Sequence, residues 1–125
     1  RKDIVGDGDP MDICVLTEKD LSHGDLLVDA IPIGGFRMID GNQADDKIIA
    51  VLKNDTVYGH FTNIGEVPKI VIQRLEHYFL TYKDMPGEDR KTEISHVYDQ
   101  AEALIVIQKA IQDYNDRFDN IGLIL

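Results

Sequence analysis

The sequence predicts an α+β fold, mainly β, with a largely antiparallel sheet and helices packed beside it. Three observations carry that reading. Apolar segments of strand length occupy the first half, at 13–16, 26–35 and 47–52. Helical periodicity appears only later, after Pro68 and again after Asp99. Between the strands lie stretches rich in Gly, Asp and Asn, the chemistry of turns.

The elements follow in order. Residues 13–16, ICVL, read as a short buried strand. The run 26–35, LLVDAIPIGG, ends at a Gly pair that permits a bend or bulge, and FRMID continues it. Residues 40–46, DGNQADD, read as a turn, and 47–52, KIIAVL, as the next strand. The stretch 53–67 is loop-like, with room for one helical turn. Pro68 suits the first turn of a helix reaching about Tyr82, with Val71, Leu75 and Tyr78 as its apolar stripe and Phe79 beside it. TEISHVY, 92–98, alternates as a strand does. Asp99 with Glu102 resembles a capping box, and the helix after it carries Leu104, Ile107, Ile111, Tyr114 and Phe118 at 3-4-3-4 spacing. That seam predicts core packing or a subunit contact. The tail 119–125, DNIGLIL, is apolar enough to dock on a neighbour.

With 125 residues, 43% of them hydrophobic, the chain can form one domain with a real core. Its net charge of −10 argues against nucleic-acid binding, which needs a basic face. The single cysteine, Cys14, excludes an internal disulfide and sits among apolar neighbours as an inert thiol. No apolar stretch reaches the roughly 18 residues of a membrane span. The opening RKDIVGDGDP has no signal-peptide core, so a reducing, cytoplasmic setting is expected.

The chemistry concentrates in carboxylates. Asp7, Asp9 and Asp12 crowd into DGDPMD, where Pro10 stiffens the loop. Asp40 and Asp45 flank the turn before 47–52, and could converge with the first three. Such a cluster repels itself, and divalent cations remove the penalty. Oxygen-only donors point to Mg²⁺ or Mn²⁺ rather than zinc or copper. An EF-hand is disfavoured because Met11 and Asp12 stand where an oxygen ligand and a glycine are needed. The four histidines, His23, His60, His77 and His96, lack ligand spacing. Lys47 follows Asp45 by two, so an extended chain turns both to one side. Tyr82 and Lys83 end the Pro68 helix, where Lys83 on spacing alone reads as a cation facing the helix dipole.

At these residues the chain resembles the soluble, metal-dependent inorganic pyrophosphatases, and bacterial members of chlamydial type most. DGDPMDI resembles the family's D-x-D-P-x-D signature. RMIDGNQADDKIIAV resembles its second acidic segment, HYFLTYKD its third, and AIPIGG also fits. The resemblance covers almost the whole chain. It implies an OB-type twisted antiparallel β-barrel with outer helices, residues 1–125 forming the C-terminal portion of one such domain with no second domain. Strands that carry a further Glu, Lys, Arg and Tyr in the family, upstream of the signature, are not in this sequence. The barrel is therefore expected to be incomplete and the piece impaired as a catalyst.

The resemblance also implies an activity, Mg²⁺-dependent hydrolysis of pyrophosphate to two phosphates, with Mn²⁺ as a substitute ion. Asp7, Asp12, Asp40 and Asp45 would ligate metal, with Asp12 bridging two ions. Asp9 would hold and deprotonate the attacking water. Lys47, Tyr82 and Lys83 would bind phosphate oxygens. A homo-oligomer is expected. A scaffold paralogue without turnover is the alternative reading, and nucleoside triphosphate hydrolysis ranks below both.

Overall fold

The structure, a computed structural model, describes residues 5–6, 11–18, 29–82 and 92–122, with the backbone alone at 5, 6 and 117–122. Strands β1 (Val5–Gly6), β2 (Asp12–Leu16), β3 (Ala30–Asp40), β4 (Gln43–Leu52) and β5 (Thr92–Asp99) form one sheet, with helices α1 (Lys69–Thr81) and α2 (Gln100–Gly122). The order is β1-β4-β3-β5, and β2 also pairs with β4. Among the described residues the sheet does not close on itself.

β3 and β4 form a hairpin, pairing antiparallel from Ala30↔Leu52 down to Asp40↔Gln43. Only Gly41 and Asn42 make the turn, and Gly41 takes φ +67°. A positive φ at the first central position suits a two-residue hairpin loop, and glycine reaches it without a Cβ clash. The expected turn over 40–46 is thus too long. Residues 43–46 already belong to β4, which sends Asp45 and Asp46 to opposite faces. The expectation of a largely antiparallel sheet also needs correction on one side. β1 and β2 both run parallel to β4, with Asp12 opposite Lys47 and Leu16 opposite Val51.

The two sheet faces have separate cores. On one, Leu16, Ile33, Phe36, Met38, Ile49 and Val51 pack with Ile64, Val67 and Phe79. Fully burying side chains of this size stabilises by about 1.5–3 kcal/mol each. α1 covers this face, and Phe79 meets Phe36 edge to face with centroids 5.6 Å apart. Pro68 is the residue just before the helix rather than inside its first turn, and its carbonyl accepts the amides of Val71 and Ile72. Of the expected stripe, Val71 and Leu75 are partly buried beside Phe79, whereas Tyr78 is exposed.

On the other face Ile48, Tyr98 and Ala103 are buried, with Met11, Val106 and Ile107 against them. α2 starts as the sequence indicated: Asp99 accepts the Glu102 amide at 3.0 Å. Gln100 adds a bond to the Pro32 carbonyl at 2.9 Å. The 3-4-3-4 seam is turned partly away from the sheet, because Ala103 makes the close approach. Leu104, Ile111 and Tyr114 are exposed.

The expected bulge exists, one residue early: the β3–β4 register shifts between Pro32 and Gly34. The Gly pair serves close approach instead. A Cβ on Gly34 would lie 2.6 Å from the Tyr98 carbonyl oxygen, and one on Gly35 would lie 2.5 Å from the Tyr98 ring.

A polar knot ties β2 to the segment after β4. The buried Asp55 carboxylate accepts from Thr17 Oγ1 at 2.7 Å and from the amides of Glu18, Val57 and Tyr58 at 2.8–3.0 Å. These donors, the Tyr58 amide first, hold its pKa down to about 2. The stabilisation is therefore present above the ordinary carboxylate range and disappears as pH falls through about 2.

Two outcomes follow. Gly34→Ala should lower the unfolding free energy by about 1–3 kcal/mol, because its contacts include backbone that cannot move aside; an unchanged urea midpoint would show slack between β3 and β5. Asp55→Ala should be destabilised against wild type at pH 6, with the gap closing below about pH 4. A gap that stays constant down to pH 2 would show that the carboxylate charge contributes nothing.

Candidate active site

Three segments far apart in sequence meet at Lys47. Position 47 is in the middle of β4, and alternation turns it to the same face as Asp45. The parallel pairing of β2 brings Asp12 directly alongside. The C-terminal end of α1 supplies Tyr82. Lys47 Nζ donates to Asp12 Oδ2 at 2.6 Å, lies 3.0 Å from Asp45 Oδ2, and donates to Tyr82 Oη at 3.3 Å. The ammonium also sits 5.6 Å from the Tyr82 ring centroid.

Lys47 is 2% exposed. Burial alone would lower its pKa, but the bonds to Asp12, Asp45 and Tyr82 outweigh that and push it up. The site is therefore a fixed cation with two carboxylates. Asp45 is 17% exposed, whereas Asp12 is 65% exposed and open to water.

The sequence-derived site divides accordingly. Asp12, Asp45, Lys47 and Tyr82 are brought together. Asp40 stands at the hairpin end, on the β3 positions that share a face with Asp45, because Met38 is the partner of Asp45. Asp7, Asp9 and Lys83 lie outside the described residues. Among the described residues no three His, Cys, Asp or Glu side chains gather closely enough to hold a metal ion. Asp12 and Asp45, carboxylates from two strands that face the same ammonium, are oxygen donors of the kind a hard divalent cation takes.

Sequence reasoning missed the placement of Tyr78, read as part of an apolar stripe. Its ring stacks on Tyr82 at 5.2 Å with 14° between planes. The i, i+4 spacing of two tyrosines was the available signal. The reading also missed a second polar group on the opposite face. Arg37 pairs with Asp46 at 3.2 Å and lies 3.7 Å from Glu102, which also meets His96 at 3.4 Å. The Tyr98 hydroxyl beneath is buried and has no hydrogen-bond partner among the described residues, and burial raises its pKa. Cys14 behaves as expected, partly buried against the core with its thiol pKa raised by burial.

The class is α+β, an open mixed sheet flanked by two helices, with a lysine held between two carboxylates on one face. Comparison with known proteins makes this specific. Residues 2–115 match the family described as inorganic pyrophosphatase. The inorganic pyrophosphatase of Chlamydia trachomatis serovar L2 is 50% identical over 123 residues, covering 94% of this chain and 59% of that protein. That of Chlamydia caviae is 49% identical, with 94% and 57% covered. Among solved structures, the Helicobacter pylori inorganic pyrophosphatase superposes with a TM-score of 0.77 at 30% identity, covering 87% of this chain and 64% of that one. The Thermus thermophilus enzyme gives 0.77 at 32%, covering 87% and 63%. The chain belongs to the inorganic pyrophosphatase family. It spans little more than half the length of the chlamydial relatives. Its open sheet with two helices corresponds to an incomplete OB-type barrel.

Removing the central cation tests the electrostatics. Lys47→Met should cost about 1–3 kcal/mol of stability in metal-free buffer, because Asp45 loses its ammonium partner in a partly desolvated place. Asp12→Asn should cost less, its carboxylate being hydrated. Equal losses in chemical denaturation would contradict this ranking.

Proposed function

We propose that the protein hydrolyses inorganic pyrophosphate to two phosphates in a divalent-metal-dependent reaction, with Mg²⁺ as the ion and Mn²⁺ as a substitute. The observation that carries this is the meeting of three sequence motifs at one point, Asp12, Asp45 with Lys47, and Tyr82. The family assignment supports it.

Asp7, Asp12, Asp40 and Asp45 would hold the metal, with Asp12 shared between two ions. When bound, the ions supply positive charge opposite a polyanion and make water more acidic. The protein's own groups then have distinct tasks. Asp9 takes the proton from the attacking water, as a general base on the same short loop as two of the ligands. Lys47, Tyr82 and Lys83 bind phosphate oxygens and stabilise charge as it shifts between the two phosphates. The three N–H bonds of Lys47 are directed to Asp12, Asp45 and Tyr82. To reach an anion it exchanges Asp12, its more exposed carboxylate. The phenol proton of Tyr82 is the donor that this group offers an anionic oxygen. In-line attack by water needs no covalent enzyme intermediate.

The same reading carries a cytoplasmic setting and a homo-oligomer; exposed Leu104, Ile111 and Tyr114 on α2 support the latter. No helix among the described residues is long and apolar enough to cross a membrane.

The test is release of phosphate from pyrophosphate by the intact protein, with and without Mg²⁺. Release that needs the metal and stops with a chelator supports the reading; none in saturating Mg²⁺ or Mn²⁺ overturns it. Asp9→Asn should lose on the order of 10²–10⁴ in turnover while calorimetric Mg²⁺ affinity stays close to wild type. Wild-type turnover in that variant would remove the base role from Asp9.

A further inference from the structure

Tyr82 occupies an awkward place for a precise ligand. It is the first residue past α1, and its side chain is 41% exposed. Its amide is bonded to the Tyr78 carbonyl at 2.9 Å, which fixes the backbone but not the ring. The ring must still be held for Oη to remain 3.3 Å from Lys47 Nζ.

Two aromatic neighbours hold it. Phe79, buried and in edge contact with Phe36 of the core, meets Tyr82 at 6.5 Å and 78°. Tyr78 stacks on Tyr82 at 5.2 Å with near-parallel planes, and meets Phe79 at 5.5 Å and 67°. Phe79 has a second task, since it fills the core. Among the described residues Tyr78 has none: at 56% exposure it contributes little to burial, and its described ring contacts are these two. A large aromatic side chain left in water is explained by what it stacks on.

We infer that Tyr78 is a positioning residue for substrate binding, holding the Tyr82 ring so that its hydroxyl stays beside Lys47. This deepens the proposed pyrophosphate chemistry and rests on it. The contact that matters is ring on ring. Phenylalanine supplies the same face, whereas leucine and alanine do not. A stack of this kind stabilises one rotamer of Tyr82 over others, so its loss reduces the fraction of protein ready to bind.

The experiment is steady-state hydrolysis of Mg²⁺-pyrophosphate by the intact protein carrying Tyr78→Phe, Tyr78→Leu or Tyr78→Ala, each also combined with Tyr82→Phe. Tyr78→Leu and Tyr78→Ala should raise KM roughly two- to tenfold, with kcat within twofold of wild type. Tyr78→Phe should match wild type. In the Tyr82→Phe background, which has no hydroxyl to place, the Tyr78 substitutions should add almost nothing. Equal effects in both backgrounds, or a Tyr78→Phe variant as poor as Tyr78→Ala, would overturn the positioning role. So would a wild-type KM in Tyr78→Ala. An active wild type with any of those results leaves the pyrophosphatase reading standing, and an inactive wild type removes that reading instead. Leucine keeps the helix and the apolar bulk, so a loss shared by leucine and alanine is not one of folding.

Discussion

A buried ammonium between two carboxylates organises this fold and its site together. Lys47 is 2% exposed and would be costly there alone. Asp45 comes to it from the same strand, Asp12 from a neighbouring one, and Tyr82 from the end of a helix. Asp45 needs only that β4 be extended, whereas Asp12 and Tyr82 each depend on a different tertiary pairing, and the ammonium has all three partners only when both form. The acidic chain contributes the rest of the field. With a net charge of −10, the proposed binding of a polyanion requires that cations stand between the two.

The sheet separates two kinds of polar chemistry. One face carries Lys47, Asp45 and the core under α1. The other carries Arg37, Asp46 and Glu102 over Tyr98, beside α2. Asp45 and Asp46 are adjacent in sequence yet serve opposite faces, because β4 is already extended where they stand. A turn at that point, as first expected, could not have made the division. The tight hairpin at Gly41 is what carries the strand far enough.

Local patterns were legible and cross-strand geometry was not. Proline and apolar spacing marked α1, alternation marked β5, and Asp99 with Glu102 marked the start of α2. The same-side placement of Asp45 and Lys47 followed from a period of two. The parallel run of β1 and β2 was not legible, because strand direction is set by the connection and not by side-chain pattern. The Gly34–Gly35 pair was legible as special, but its reason, the close passage of Tyr98, involves a residue more than sixty positions away. Tyr78 was misjudged because a helical stripe reports spacing and not how far the core extends beneath it. Near the end of α1 it is Phe79 that turns into the core, and Tyr78 beside it faces away and stacks on the Tyr82 ring instead.

The pairing of Asp12 with Lys47 has a consequence for how faithfully β2 is laid down. A slip of one residue along β4 would set Ile13 opposite the ammonium and turn Asp12, Cys14 and Leu16 to the other face. In a purely apolar strand such an error would exchange one hydrophobic contact for another at little cost. Here it would leave a desolvated positive charge facing an alkyl chain, and the misaligned sheet would be rejected on that account. The carboxylate works as a registration mark: the residue proposed to hold metal also proofreads the strand that delivers it.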